Sequence, residues 1–254
     1  MTEAVLEFDL DEALKRLRLP RIRACWKEWA DRAAREEMPF GDFLRSLISD
    51  EVAAREETKL RRLLRQANFP FHKTSEEFDF RLQPQIRRQV FQSYLEDSFV
   101  REGRSLVLIG QPGLGKTHLA VAVGLRVVHR FSTVRFVVVQ ELVNRYLTSE
   151  TQKQRARILK PYKRCDLLIL DEFGYLPHEP ELAHLLYEII SERYERLATV
   201  ITSNKSLKEW GRVLGDTALA SALIDRLMHH GDVYYLKGKS YRLRDKTVNV
   251  GDEA

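Results

Sequence analysis

The amino-acid sequence predicts an α/β fold, with a parallel-sheet core preceded by a small all-helical domain. Three observations predict it. From about residue 105 onward, short uncharged and β-branched runs alternate with helical patterns, the rhythm of a parallel sheet covered on both faces. One of these runs leads directly into a glycine-rich phosphate-binding signature. The first hundred residues, in contrast, place apolar side chains at helical spacing.

Asp9, with Glu12 three positions on, has the form of a capping box at a helix start. Pro20 suits the first turn of a second helix, on which Trp26 and Trp29 share a face. Phe40, Phe43, Leu44, Leu47 and Ile48 mark a third helix, which runs through REETKLRRLLRQ (55–66) and stops near Asn68–Pro70. Residues 68–83 read as an ordered connector, because Phe69, Phe71, Phe78 and Phe80 must pack against something. A further helix is expected around 85–100. The strands then follow as SLVLIG (105–110), VRFVVV (134–139), DLLILDE (166–172) and TVITSN (199–204). Helices from Lys116, around 141–160 and near 181–196 separate them. This organisation gives a helical domain over 1–69 and the sheet domain over 70–254.

The composition sets outer bounds. A chain of 254 residues buries a substantial core without staples, and 44% hydrophobic with 31% charged residues is the balance of a soluble globular protein. No run approaches the ~18 uncharged apolar residues of a membrane span, and MTEAVLEFDLDEAL has no signal-peptide layout. The expectation is a cytoplasmic protein with no membrane partner. Two cysteines, Cys25 and Cys165, exclude a disulfide framework and a structural zinc cluster. The net charge of +5 is unevenly spread. Residues 1–68 hold 14 basic and 14 acidic side chains, whereas residues 100–254 hold 24 basic against 18 acidic.

Gly110-Gln111-Pro112-Gly113-Leu114-Gly115-Lys116-Thr117 satisfies G-x-x-x-x-G-K-[ST], after an apolar strand and at the opening of a helix. Glycines let backbone N–H groups converge on phosphate oxygens, and the helix N-terminus adds partial positive charge. Gly110, Pro112, Gly113, Leu114, Gly115, Lys116, Thr117 and the adjoining His118 are therefore the candidate nucleotide-binding residues. Lys116 is expected at the β- and γ-phosphates and the Thr117 hydroxyl on Mg²⁺. Leu167–Leu170 ends in Asp171 and Glu172. Asp171 suits the water shell of the Mg²⁺, and Glu172 suits polarisation of an attacking water. Asn204, at the end of another strand, is placed to orient that water. Arg226 stands in a mostly apolar helix face, ALIDRL, and suits a finger inserted into a neighbouring subunit's nucleotide site.

In this order and spacing these elements resemble an AAA+ ATPase of the DnaA/DnaC group, and more narrowly the IstB-like family of insertion-sequence transposition helpers. The segments that carry the resemblance include GQPGLGKTHLAVAVG (110–124), DLLILDEFGYLP (166–177), SERYERLATVITSNKSLKEW (191–210), ALIDRLMHH (222–230) and LKGKSYRLR (236–244). RRLLRQANFPFHKTSEEFDF (61–80) resembles the family's junction between its helical domain and its ATPase core. The resemblance implies a P-loop AAA+ ATPase that uses ATP and Mg²⁺ and multimerises on double-stranded DNA through ATP-site interfaces. It also implies recruitment or activation of a transposase, with hydrolysis regulating the assembly. Lys116 and Thr117 match the Walker A pair, Asp171 and Glu172 the Walker B pair, Asn204 the first sensor and Arg226 the arginine finger. A departure from the AAA+ pattern is that the residues after His230 are too few for a full helical lid, which leaves the second-sensor role open, with Arg242 as a candidate for it. Two other functions remain open: a DnaC-like replicative-helicase loader, and a nucleotide-stabilised DNA scaffold with little turnover.

Three basic stretches are candidates for phosphate contact: Arg61, Arg62 and Arg65; the acid-free run Lys153, Arg155, Arg157, Lys160, Lys163 and Arg164; and Lys237, Lys239, Arg242, Arg244 and Lys246. Repeated along stacked subunits, such strips give salt-sensitive binding with weak sequence preference. His229, His230 and the cysteines lack metal-ligand spacing in the sequence and read as structural.

Overall fold

The computed structural model describes residues 9–174, 180–238 and 240–241, with the side chains of 180–182 left aside. The described residues form two compact units that divide at Arg62–Leu63.

The first unit is helical, with α1 (Leu10–Arg16), α2 (Pro20–Arg35) and most of α3 (Phe40–Ala67). Asp9 caps α1 by accepting from the N–H groups of Asp11 and Glu12, as its sequence position predicts. Pro20 opens α2, but Leu19 at its N-cap supplies no side-chain acceptor. Glu51 of α3 takes over that task, its carboxylate accepting from the N–H groups of Arg21 and Ile22 at 2.8 and 3.1 Å. The indoles of Trp26 and Trp29 donate to Asp11 and Asp50.

The second unit is built on a five-stranded sheet of β1 (Ser105–Gly110), β2 (Val134–Val138), β3 (Leu167–Asp171), β4 (Ala198–Ser203) and β5 (Gly231–Leu236). The order is β2-β3-β4-β1-β5 and every pairing is parallel. Its helices are α4 (Arg88–Gln92), α5 (Asp97–Arg101), α6 (Lys116–His129), α7 (Val139–Leu147), α8 (Gln152–Arg164), α9 (Pro180–Arg193), α10 (Trp210–Leu214) and α11 (Thr217–His229). Strands β1, β3 and β4 are buried along nearly their whole length, which is why they read as continuous apolar runs. Trp210 and Phe173 pack with their rings tilted by 37° and centroids 4.1 Å apart within this core.

The helices expected around 141–160 are α7 and α8, and between them the Thr151 side chain forms a capping box with Gln154. Two expectations shift. The helix around 85–100 is broken into α4 and α5 by a 3-10 turn at Ser93–Leu95 and an extended Glu96. Strand β5 is an addition to the strands read from the sequence. It pairs on one side only and is half-buried, so it lacks the unbroken apolar run that marks the inner strands.

The connector is ordered against the second unit. Phe69 lies against Gly124 of α6, and Phe78 lies against Gly115 and the His118 ring.

Candidate nucleotide site

β1 and α6 are joined by the loop Gly110–Gly115. Gly113 and Gly115 take φ of +81° and +87°, and a Cβ on Gly115 would sit 2.5 Å from the Phe78 ring. Only glycine tolerates both demands there. Gly115 also serves as the N-cap of α6 and offers no side-chain cap, so the first N–H groups of the helix remain available to an anion.

A cleft of about 850 Å³ opens at the carboxyl end of the strands, where ligands bind in parallel α/β sheets. Pro112, Gly113, Gly115, Lys116, Thr117, His118, Asp171, Glu172 and Asn204 all line it. Of the sequence candidates for the nucleotide, Gly110 and Leu114 stand behind its wall. Gly110 accepts from Lys116 Nζ at 2.7 Å, and the Leu114 side chain is buried beneath the loop. Lys116 Nζ also donates to the Gln111 carbonyl at 2.9 Å.

The floor brings together residues far apart in the chain. Thr117 donates its hydroxyl to Asp171, with oxygen distances of 2.9 and 3.2 Å. Thr202 donates to the same carboxylate at 2.5 Å and accepts from the Glu172 N–H at 3.0 Å. Burial pushes the Asp171 carboxyl up, against the hydrogen bonds from Thr202 and Thr117 and the charge of Lys116. Glu172 is exposed at the cleft with a left-handed φ of 60°. The Asn204 side-chain oxygen is buried without a hydrogen-bond partner. A glycine cradle, uncapped helix N–H groups and an orphaned amide oxygen beside two carboxylates fit a magnesium–nucleotide ligand. Thr117 and Asp171 are the pair able to hold the ion.

The far wall is aromatic. Phe78 meets His118 edge-on at 5.3 Å and Tyr241 at 5.8 Å. Tyr241 donates its N–H to the Gly113 carbonyl at 2.9 Å and its hydroxyl to the Asp79 carbonyl at 2.7 Å. His118 Nε2 lies 2.7 Å from the Thr74 carbonyl, and burial pushes its pKa down. Sequence reasoning missed Thr202, Phe78 and Tyr241 as site residues. The polar end of the TVITSN strand is the one signal that pointed towards the first of them.

The chain as a whole is similar to known proteins. An IstB-like ATP binding protein family profile matches residues 12–249. The chain belongs to this family. An insertion sequence IS5376 ATP-binding protein of Geobacillus stearothermophilus is 35% identical over 239 residues, 94% of this chain and 95% of that protein. An insertion sequence IS21 ATP-binding protein of Pseudomonas aeruginosa is 35% identical over 238 residues, 94% of this chain and 90% of that one. Among solved structures, AMPPCP-bound DnaA from Aquifex aeolicus has a TM-score of 0.55 at 18% identity, covering 67% of this chain and 51% of that one. A DnaC helicase loader has a TM-score of 0.50 at 21% identity, covering 67% of this chain and 97% of that chain. These likenesses show the AAA+ fold. The IstB-like chain is thus an ATP-binding protein on a P-loop AAA+ core.

The remaining candidates lie elsewhere. Arg226 of α11 does not line the cleft. It donates to the Ala222 carbonyl at 3.1 Å, and its guanidinium lies over the rings of Tyr187 and Tyr194 at 4.7 and 5.8 Å. On α8, Lys153, Arg157, Lys160 and Arg164 are exposed at spacings of four, three and four, one face of the helix. Arg155 lies over the Tyr146 ring at 4.9 Å. Lys163 departs from the expected strip, because it is held by Glu188 and Glu192 at 2.6 and 2.7 Å. Arg61 pairs with Glu57 at 2.5 Å, and Arg62 and Arg65 are exposed on α3. Lys239, Arg242, Arg244 and Lys246 fall outside the described residues. Among those described, no helix is long and apolar enough to cross a membrane.

Proposed function

We propose that this protein is an ATP-dependent DNA-binding helper of transposition, which multimerises on double-stranded DNA, recruits or activates a transposase, and regulates the assembly by hydrolysing ATP to ADP and phosphate. One observation supports the chemistry above all: the Thr117–Asp171 hydrogen bond, which joins motif residues on separate elements at the floor of the cleft. The insertion-sequence relatives support the setting.

The loop amides from Gly113 to Thr117 and Lys116 bind the phosphates. Lys116 exchanges the Gly110 and Gln111 carbonyls for phosphate oxygens. Thr117 and Asp171 would hold Mg²⁺, which would supply neutralisation of charge on those oxygens. Glu172 polarises the attacking water and Asn204 orients it. The aromatic wall of Phe78, His118 and Tyr241 gives the base a stacking surface. Arg226 lies outside its own cleft and serves the cleft of the next subunit, giving a homo-oligomer with composite sites. The exposed cations of α8, together with Arg61, Arg62 and Arg65, meet the DNA backbone, and the N-terminal region 1–69 serves partner or DNA contact. The helicase-loader reading stands second, since the likeness to DnaC reaches only the fold.

Lys116→Ala tests this reading. Loss of the phosphate-binding ammonium should lower ATP turnover by a factor of about 100 or more and abolish ATP-dependent retention on double-stranded DNA in a gel-shift assay. Retention and transposase stimulation at the unaltered level would overturn it. Recovery of a helicase but no transposase in pull-downs would favour the loader.

A further inference from the structure

We propose that Glu195, His229 and His230 form a binding site for a zinc-class divalent ion, separate from the nucleotide cleft. Glu195 lies in the turn between α9 and β4, and the two histidines end α11 just before β5. All three therefore sit at the amino edge of the sheet, opposite the cleft. Glu195 stands more than thirty positions before the histidines in the sequence, so this trio exists only through the fold.

The geometry suits coordination. Glu195 Oε1 lies 3.2 Å from His229 Nδ1 and 3.3 Å from His230 Nε2. One donor atom from each residue falls within 4.8 Å of the other two. A tetrahedral zinc ion with bonds of about 2.0–2.1 Å separates its ligand atoms by about 3.3–3.4 Å. The carboxylate oxygen already stands at that spacing from both imidazoles, and the imidazole nitrogens, within 4.8 Å of each other, close on the ion to complete the set. Two nitrogens and one oxygen suit zinc and its transition-metal neighbours. Magnesium and calcium prefer oxygen throughout. A fourth position stays open to water or to a group from another chain.

The frame is stiff. Arg193, 1% exposed, donates to the Tyr162 and Cys165 carbonyls at 2.8 Å, to Ala198 at 2.5 Å and to Thr199 at 3.2 Å. These bonds fix the turn in which Glu195 takes a left-handed φ of 59°. On the other side, the Ser105 N–H donates to the His230 carbonyl at 3.0 Å and ties the pair to the head of β1. The three side chains are about half exposed, so an ion enters without any unfolding.

The same groups could form only an ion pair. That would leave one carboxylate oxygen shared between two adjacent imidazole nitrogens, of which the His229 nitrogen also meets the Tyr194 hydroxyl. One divalent ion satisfies all three at once. Tyr194 connects the cluster to a functional candidate: its hydroxyl is 2.6 Å from His229 Nδ1, its ring stacks on His229, and Arg226 lies over that same ring. With the ion on Nδ1, the Tyr194 hydroxyl turns to another acceptor while the stack remains.

Untagged full-length protein, stripped with a chelator and free of nucleotide, should be titrated with Co²⁺ and read by visible absorption. Displacement by Zn²⁺ follows. The expected result is one ion per chain, weakened by roughly tenfold or more in each of His229→Ala, His230→Ala and Glu195→Gln. Thermal unfolding of the metal-free variants checks that they fold, and His129→Ala, remote from the cluster in sequence and exposed, should keep the original affinity. Absence of stoichiometric binding, or binding that survives in the double variant His229→Ala/His230→Ala, would overturn the site. Neither outcome bears on ATP use.

Discussion

The two units of this protein reach stability by different physical routes. In the second, the inner strands β1, β3 and β4 are almost wholly buried and share a continuous core with Trp210, Phe173 and the inner faces of α9 and α11. In the first, the buried apolar residues among those described are Leu14, Cys25 and Leu47, while Phe40, Leu44, Ile48 and Val52 of α3 are exposed. There a buried acid, Glu51, ties α3 to the uncapped start of α2. A large apolar core tolerates polar imperfection at its margins. A thin one depends on particular hydrogen bonds, because each is a larger share of a small stability.

Three substitutions sharpen this contrast. The largest effect is expected in the dense core. Trp210→Ala removes a fully buried indole packed against Phe173 and should cost about 3–5 kcal/mol, measured by denaturant unfolding and by hydrogen exchange in β3 and β4. A cost below about 1 kcal/mol would mean that the core relaxes around the loss and that the contrast is overstated.

Next comes the polar tie. Glu51→Gln keeps an acceptor oxygen but loses the charge, and should cost about 1–3 kcal/mol, read by hydrogen exchange at the start of α2 and by the fluorescence of Trp26 and Trp29. Desolvation raises the Glu51 pKa, yet the bonds from Arg55, Ile22 and Arg21 outweigh it and leave the carboxyl below its ordinary value. A group depressed in this way stabilises the fold above the ordinary carboxylate pKa, and that contribution fades as pH falls through its lowered value. Acid unfolding of α2 should therefore depend less on pH in the Gln variant. Identical pH profiles would remove Glu51 from this role.

The smallest effect is expected at the surface of the same unit. Arg61→Ala breaks an exposed pair with Glu57 and should change stability by no more than about 0.5 kcal/mol, while weakening DNA retention if Arg61 meets phosphates. A large stability loss would show that α3 relies on surface pairs as well as on Glu51.

Legibility in the sequence follows the same division. The four inner and adjacent strands, and the loop from Gly110 to Thr117, were visible because continuous apolar runs and obligatory glycines leave few alternatives. Strand β5 was hidden, being a half-buried edge. The break at Ser93–Glu96 was hidden too, since the apolar residues on either side, Phe91, Tyr94, Leu95 and Phe99, are buried by tertiary contacts that no helical period records. In the cleft, Lys116, Thr117, Asp171, Glu172 and Asn204 were legible as motif residues. Thr202, Phe78 and Tyr241 were not, because each acts by meeting a distant residue.

The sequence by itself determined the α/β class, the phosphate loop and the family, all of which rest on local pattern: apolar runs, glycine at positions of positive φ, and acids at a strand end. Only the tertiary structure decided which distant groups meet. It set Asp171 on Thr117 and Thr202, Glu51 on the start of α2, Arg226 outside its own cleft, and Glu195 between two histidines. The reason is physical. Parallel strands bring together residues many tens of positions apart, and hydrogen bonding and coordination depend on distances that sequence spacing does not fix.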